Sequence, residues 1–170
     1  MSFRMLPGLV AALLLSIAPV APAIASPDIV MVSSGGRTGV AAPRSAGTAL
    51  HLASAQRGAH GLHALREDRR LNYVAQEHAN WMARNGQMSH TGANGSRMSD
   101  RLRAAGIRTC FAAENVAFGQ RDDHSVVRAW MNSSGHRRSI LDRRARVGTV
   151  ASAVDGVGQT YWVMLLAEPC

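Results

Sequence analysis

At 170 residues, with 46% hydrophobic and 18% charged, the chain has the composition of a single globular domain. All nineteen basic residues are Arg and stand against eleven acids, a balance that attracts anions. The densest cluster, Arg137, Arg138, Arg143, Arg144 and Arg146, lacks the interleaved aromatics of a nucleic-acid site and reads as a solvated basic face, and no glycine motif that cradles a phosphate supports a nucleotide cofactor.

The N-terminus reads as a signal peptide over residues 1–25. Arg4 supplies the positive start, Leu9 to Ile17 the apolar stretch, and Ala23-Ile24-Ala25 the cleavage site before Ser26. The apolar stretch falls short of the about 20 residues that span a bilayer, and Pro19 and Pro22 interrupt its continuation. No later segment is apolar enough to span, so the mature chain is expected without a transmembrane segment, secreted into the periplasm or the medium. Residues 26–47, rich in Ser, Gly, Ala and Pro, read as a flexible linker, and residues 48–170 as the folded domain.

Four helices follow in order. Thr48 to about His60 brings Leu50, Ala53 and Arg57 to helical spacing, with Gly58 or Gly61 as the end. Asp68 can cap a second helix whose stripe is Leu71, Val74, Ala75, His78 and Met82, stopped by Gly86. Ser96 is the expected cap of a third, with Met98, Leu102 and Ala105 inward and Gly106 at its end. Asp122 or Asp123 caps a fourth, with Val126, Val127, Trp130 and Met131 as its apolar face. Ser133 and Ser134 then read as caps for a helical turn around Arg137 to Leu141.

The rest alternates differently. Val147, Thr149, Ala151 and Ala153 recur every second residue, Asp155-Gly156 supplies a turn, and Thr160 to Ala167 is a nearly continuous apolar run. This predicts a hairpin whose last strand is buried on both faces. A strand around Phe111 to Phe118 completes a small antiparallel sheet, and helices beside it give an α+β layered sandwich. Cys110 and Cys170 are the only cysteines, and export to an oxidising compartment favours a disulfide between them, worth about 4 kcal/mol.

Two imidazoles and a carboxylate stand beside loop-forming residues in the order His90, Glu114, His136. These side chains hold divalent metals or move protons near neutral pH. His90 and His136, with Glu114 as a third donor, could ligate Zn²⁺ or another divalent cation, or Glu114 could instead fix an imidazole tautomer. A polar network without metal explains the same residues. His78, on the apolar stripe, reads as a core histidine, and Trp81, Trp130 and Trp162 as core or cleft walls.

The motifs together carry a resemblance. Arg57-Gly58-Ala59-His60-Gly61-Leu62, Ala75-x-x-His78-Ala79-x-x-Met82-Ala83, Ser89-His90-Thr91-Gly92, Glu114-Asn115-Val116-Ala117 and Trp130-Met131-Asn132-Ser133-Ser134-Gly135-His136-Arg137 resemble, in order, the CAP domain. This family comprises cysteine-rich secretory, antigen 5 and pathogenesis-related 1 proteins, and the likeness is to its short bacterial form, also called the SCP domain. The resemblance implies a three-layer α/β/α sandwich over about residues 48–168, with two His and two acidic residues converging in a cleft. His90, Glu114 and His136 match three members. Where longer forms have a second glutamate, Asn132 lies near the matching position, which removes a charge. Ser54 stands where the family often has Asn. The resemblance implies a secreted binding module for lipid, sterol or protein ligands, and the basic surface adds anionic envelope polymers. The alternatives are a metal-assisted hydrolase in which Glu114 activates water, and a non-catalytic scaffold.

Overall fold

The computed structural model describes residues 47–170; the signal peptide, its cleavage site and the linker up to residue 46 lie outside the described residues. The first helix, α1 (Gly47–Ala59), buries Leu50, Ala53 and Arg57 on one stripe, as their spacing predicts. A two-residue strand, β1 (Arg66–Glu67), leads into α2 (Arg69–Asn85). The Asp68 carboxylate accepts the Arg70 and Leu71 N–H groups and starts α2, while Gly86, at φ 60°, ends it. The predicted stripe of α2 is buried throughout.

The third helix, α3 (Met98–Ala104), departs from expectation at both ends. Arg97, rather than Ser96, holds the cap position, and its N–H donates to Asp100 at 3.0 Å. Ala105, expected inward, is exposed because the helix stops at Ala104, and Ile107 takes the buried place after Gly106 turns the chain. The strand β2 (Thr109–Phe118) precedes α4 (Asp123–Asn132), which Asp122 caps by accepting the Ser125 N–H. A short helix, α5 (Ser134–Ile140), has Ser133 at its cap, although the serine side chain makes no capping bond. The hairpin β3 (Val147–Val154) and β4 (Thr160–Pro169) closes the chain, its turn tied by Asp155 to the Val157 and Gln159 N–H groups.

The sheet order is β1-β3-β4-β2, with β4 antiparallel to both neighbours and β1 parallel to β3. Alternation along β4 builds both layers. Tyr161, Val163, Leu165 and Ala167 join the core under α2 and α3, while Trp162, Met164 and Leu166 join the core under α1, α4 and α5. Burying a leucine contributes about 2 kcal/mol, so this strand anchors two hydrophobic interfaces at once. The result is an α/β/α sandwich. Among the described residues no helix is long and apolar enough to cross a membrane.

Arg57 joins α1 to the segment between α5 and β3. It is 1% exposed. Its Nε donates to the His63 carbonyl at 2.9 Å, Nη1 to Ile140 at 2.7 Å and Asp142 at 2.9 Å, and Nη2 to Ala145 at 2.9 Å. Burial, then the charge of Arg146, lowers its pKa from the ordinary guanidinium value.

Cys110 and Cys170 lie side by side as free, exposed thiols. Strand pairing, which sets Thr109 opposite Pro169, brings them together, and the hydrogen bond to Cys170 pushes the Cys110 thiol up.

Replacing Arg57 with Met leaves buried carbonyls without donors and is expected to cost about 3 kcal/mol in urea unfolding. Arg57→Lys should recover little, because one ammonium cannot reproduce the fork. A loss under about 1 kcal/mol would mean that other donors or water take over those carbonyls.

Candidate functional site

Glu114 sits in the middle of β2, and strand alternation decides what it meets. With Ala112 and Val116 it faces the α2–α3 layer, while Asn115 faces the other. Because β2 is an edge strand, the two residues serve opposite sides of one open border. Glu114 Oε1 lies 2.9 Å from His90 Nδ1, and Glu114 Oε2 accepts from Arg101 Nη2 at 2.6 Å. On the far side, Asn115 Nδ2 donates to the His136 carbonyl at 3.1 Å.

The carboxylate is committed to structure. The Glu114 side chain is 4% exposed and that of Arg101 12%, whereas His90 is 61% exposed. Arg101, which the sequence reading did not single out, also donates to the His90 carbonyl at 3.2 Å and the Ser96 carbonyl at 2.8 Å. One guanidinium therefore fixes both the loop that carries His90 and the carboxylate that orients its ring. Its position three residues after Met98, on the inward side of α3, was the sequence signal available.

Gly92 lets that loop close. A Cβ there would stand 3.1 Å from His78 Nδ1 and 3.2 Å from Arg101 Nη1. His78 lies beneath, stacked on Trp81 at 5.9 Å, with Nε2 bonded to the Ser89 carbonyl at 2.8 Å. It is a packed core histidine, as its place on the stripe predicts. Trp130 and Trp162 are buried, each donating its indole N–H to a carbonyl.

Glu114 accepts when His90 Nδ1 carries a proton, and in the neutral ring with that tautomer Nε2 keeps its lone pair. Burial, then the charge of His90, holds the His136 imidazole below its ordinary value. His90, Thr91, Arg97, Met98, Ser99 and Glu114 line a shallow concavity of about 390 Å³. Asn132 is elsewhere. It is exposed at the end of α4 and lines a groove with Leu52, Gln56 and Met131 on the α1 side.

Structural zinc sites take four protein ligands and catalytic sites three, but among the described residues no three His, Cys, Asp or Glu are grouped to hold a metal. Glu114, the expected third donor, has both oxygens engaged.

Burial of His78, aided by Arg101, and of His136, aided by His90, lowers both values from 6.5. The unfolded chain then binds protons that the fold refuses. Stability should be full above about pH 6.5 and fall as pH drops from there toward the lowered folded-state values. Melting temperatures from about pH 7.5 to 5 should show this decline, and His78→Gln should flatten it; a flat wild-type profile would contradict the assignment.

Residues 50–166 match the cysteine-rich secretory protein family, CAP. The chain is 34% identical over 93 residues to the uncharacterized protein YkwD of Bacillus subtilis strain 168, a match covering 55% of this chain and 36% of that protein. It thus spans about a third of that relative's length. In fold it is similar to an outer surface protein of Borrelia burgdorferi, with a TM-score of 0.66, 21% identity and coverage of 71% of this chain and 90% of that one. It is also similar to an extracellular protein containing an SCP domain from Bacillus anthracis strain Ames, with a TM-score of 0.64, 24% identity and coverage of 72% and 39%. The family match extends over most of the chain and takes in His90, Glu114 and His136: this protein belongs to the cysteine-rich secretory protein family.

Proposed function

We propose that this CAP-domain chain is an exported binding module that engages its ligand through the oriented imidazole of His90 beside His136, and that it is not a hydrolase. The observation that carries this reading is the double engagement of Glu114. The Glu114 side chain is 4% exposed and each of its oxygens accepts from a protein donor, which favours a role in holding Arg101 and His90 over one in activating water. What reaches solvent is the His90 ring. Its Nε2 accepts a ligand hydroxyl or amide N–H, in an orientation set by the Glu114 bond.

Export rests on the leader ending at Ala23-Ile24-Ala25. An oxidising compartment would convert the adjacent Cys110 and Cys170 thiols to a bridge. The family resemblance favours a lipid, sterol or protein ligand. A divalent cation would have to be held by His90 and His136 alone, since Glu114 is occupied.

Native mass spectrometry of the protein recovered from the medium of the organism that makes it tests these points together. The expected species begins at Ser26, has the intact mass of a bridged chain, and carries a non-covalent ligand that His90→Ala loses. Turnover of a peptide or cell-wall substrate that disappears in folded Glu114→Gln would overturn the binding reading. Excess zinc is expected to leave the melting temperature of wild type and of the His90→Ala, His136→Ala double variant equally unmoved. A shift confined to wild type would restore the metal.

A further inference from the structure

Two members of the arginine cluster, Arg143 and Arg146, share one hollow with Arg57. Arg57, Arg143 and Arg146, with Gly61, Leu62 and His63, line a concave pocket of about 310 Å³ that has no acidic residue in its wall. It shares no lining residue with the His90 concavity.

Three properties distinguish this pocket from a solvated basic face. Buried Arg57 contributes to its lining and has four of its five N–H donors on carbonyls, so one Nη2 N–H lies outside these four hydrogen bonds. Arg143 and Arg146 are exposed, and no ion pair among the described residues engages either. The Arg146 backbone is fixed, its N–H on the Ala167 carbonyl at 2.9 Å and its carbonyl accepting from Arg66 at 3.1 Å. The acid whose charge reaches Arg57 is Asp142, and it is already paired with Arg144 at 2.8 Å. Arg144 in turn lies over the Phe111 ring at 4.2 Å, which accounts for that pair outside the pocket wall.

We propose that this pocket is an anion site that takes a phosphate group, clasped by the forks of Arg143 and Arg146 and completed by the remaining N–H of Arg57. Phosphate fits the chemistry better than carboxylate because its oxygens diverge and can meet donors from three side chains at once. Bound there, the anion offsets the charge repulsion between Arg57 and Arg146 that burial intensifies. A free phosphate ester and the phosphate of a lipid headgroup present the same oxygens.

The test is calorimetric titration of the full chain with inorganic phosphate at constant ionic strength, with acetate as the carboxylate control. Saturable phosphate binding is expected, weakened about tenfold or more in Arg143→Gln, Arg146→Gln. Both positions are exposed, and an unchanged circular dichroism melt of the variant without phosphate checks that its fold is intact. A phosphate response equal to that of acetate, or one that persists in the double variant, would overturn the site. Co-sedimentation with phosphatidylglycerol vesicles separates the sources. Sedimentation lost in the double variant assigns the phosphate to a lipid headgroup, and phosphate binding without sedimentation assigns it to a soluble carrier.

Discussion

From Phe111 opposite Glu168 to Phe118 opposite Tyr161, β2 holds one register against β4, and every functional contact at the sheet border depends on it. Side chains alternate along a strand, so a slip of one residue would turn Glu114 toward α5 and Asn115 toward α3. The register is secured by β4, whose two faces carry different residues into two different cores. Moving β2 by one position would also exchange Val116 with Ala117 between those cores, placing the larger side chain where the smaller one fits. Hydrophobic packing thus fixes where the polar residues point.

Within that frame, arginine fills a role that lysine could not. The chain contains no Lys, and two of its guanidinium groups act as multi-armed struts. Arg101 reaches two carbonyls and a carboxylate, and Arg57 reaches four carbonyls. A planar fork distributes donors in fixed directions, whereas an ammonium offers a single point of charge. Burying such a group is costly unless its donors are used. Arg101 has a carboxylate to balance its charge, while Arg57 is held by carbonyl dipoles without an ion pair, which makes its surroundings the more receptive to an added anion.

Local features of the fold were legible in the sequence because local chemistry decides them. Asp68 and Gly86 mark the ends of α2, Asp122 starts α4, and the apolar run after Thr160 announces a strand buried on both faces. β1 left no signal, since two exposed residues carry no period and their pairing with β3 is set by a distant segment. Ser96 was a plausible cap by residue type, but the Asp100 carboxylate satisfies the N–H of Arg97 and shifts the start. At the candidate site, His90, Glu114 and His136 were visible as chemistry. The roles of Arg101 and Asn115 were not, because they rest on which face of an edge strand each partner occupies. Ser54 illustrates the same limit: its hydroxyl accepts the Leu65 N–H at 3.1 Å, a tertiary contact that no spacing rule contains.

The charge balance around Glu114 bears on what kind of site this border can form. Two converging carboxylates would leave net negative charge to draw a cation or share a proton. Here one carboxylate meets one guanidinium, and the imidazole beside them needs no charge to keep its bond. Charge at the centre is thereby cancelled before any ligand arrives. In the proposed binding role, recognition is directional, through an exposed ring whose orientation the Glu114 bond sets. That favours hydrogen bonding to a neutral group over electrostatic capture, and it leaves the long-range attraction of anions to the arginines elsewhere on the domain.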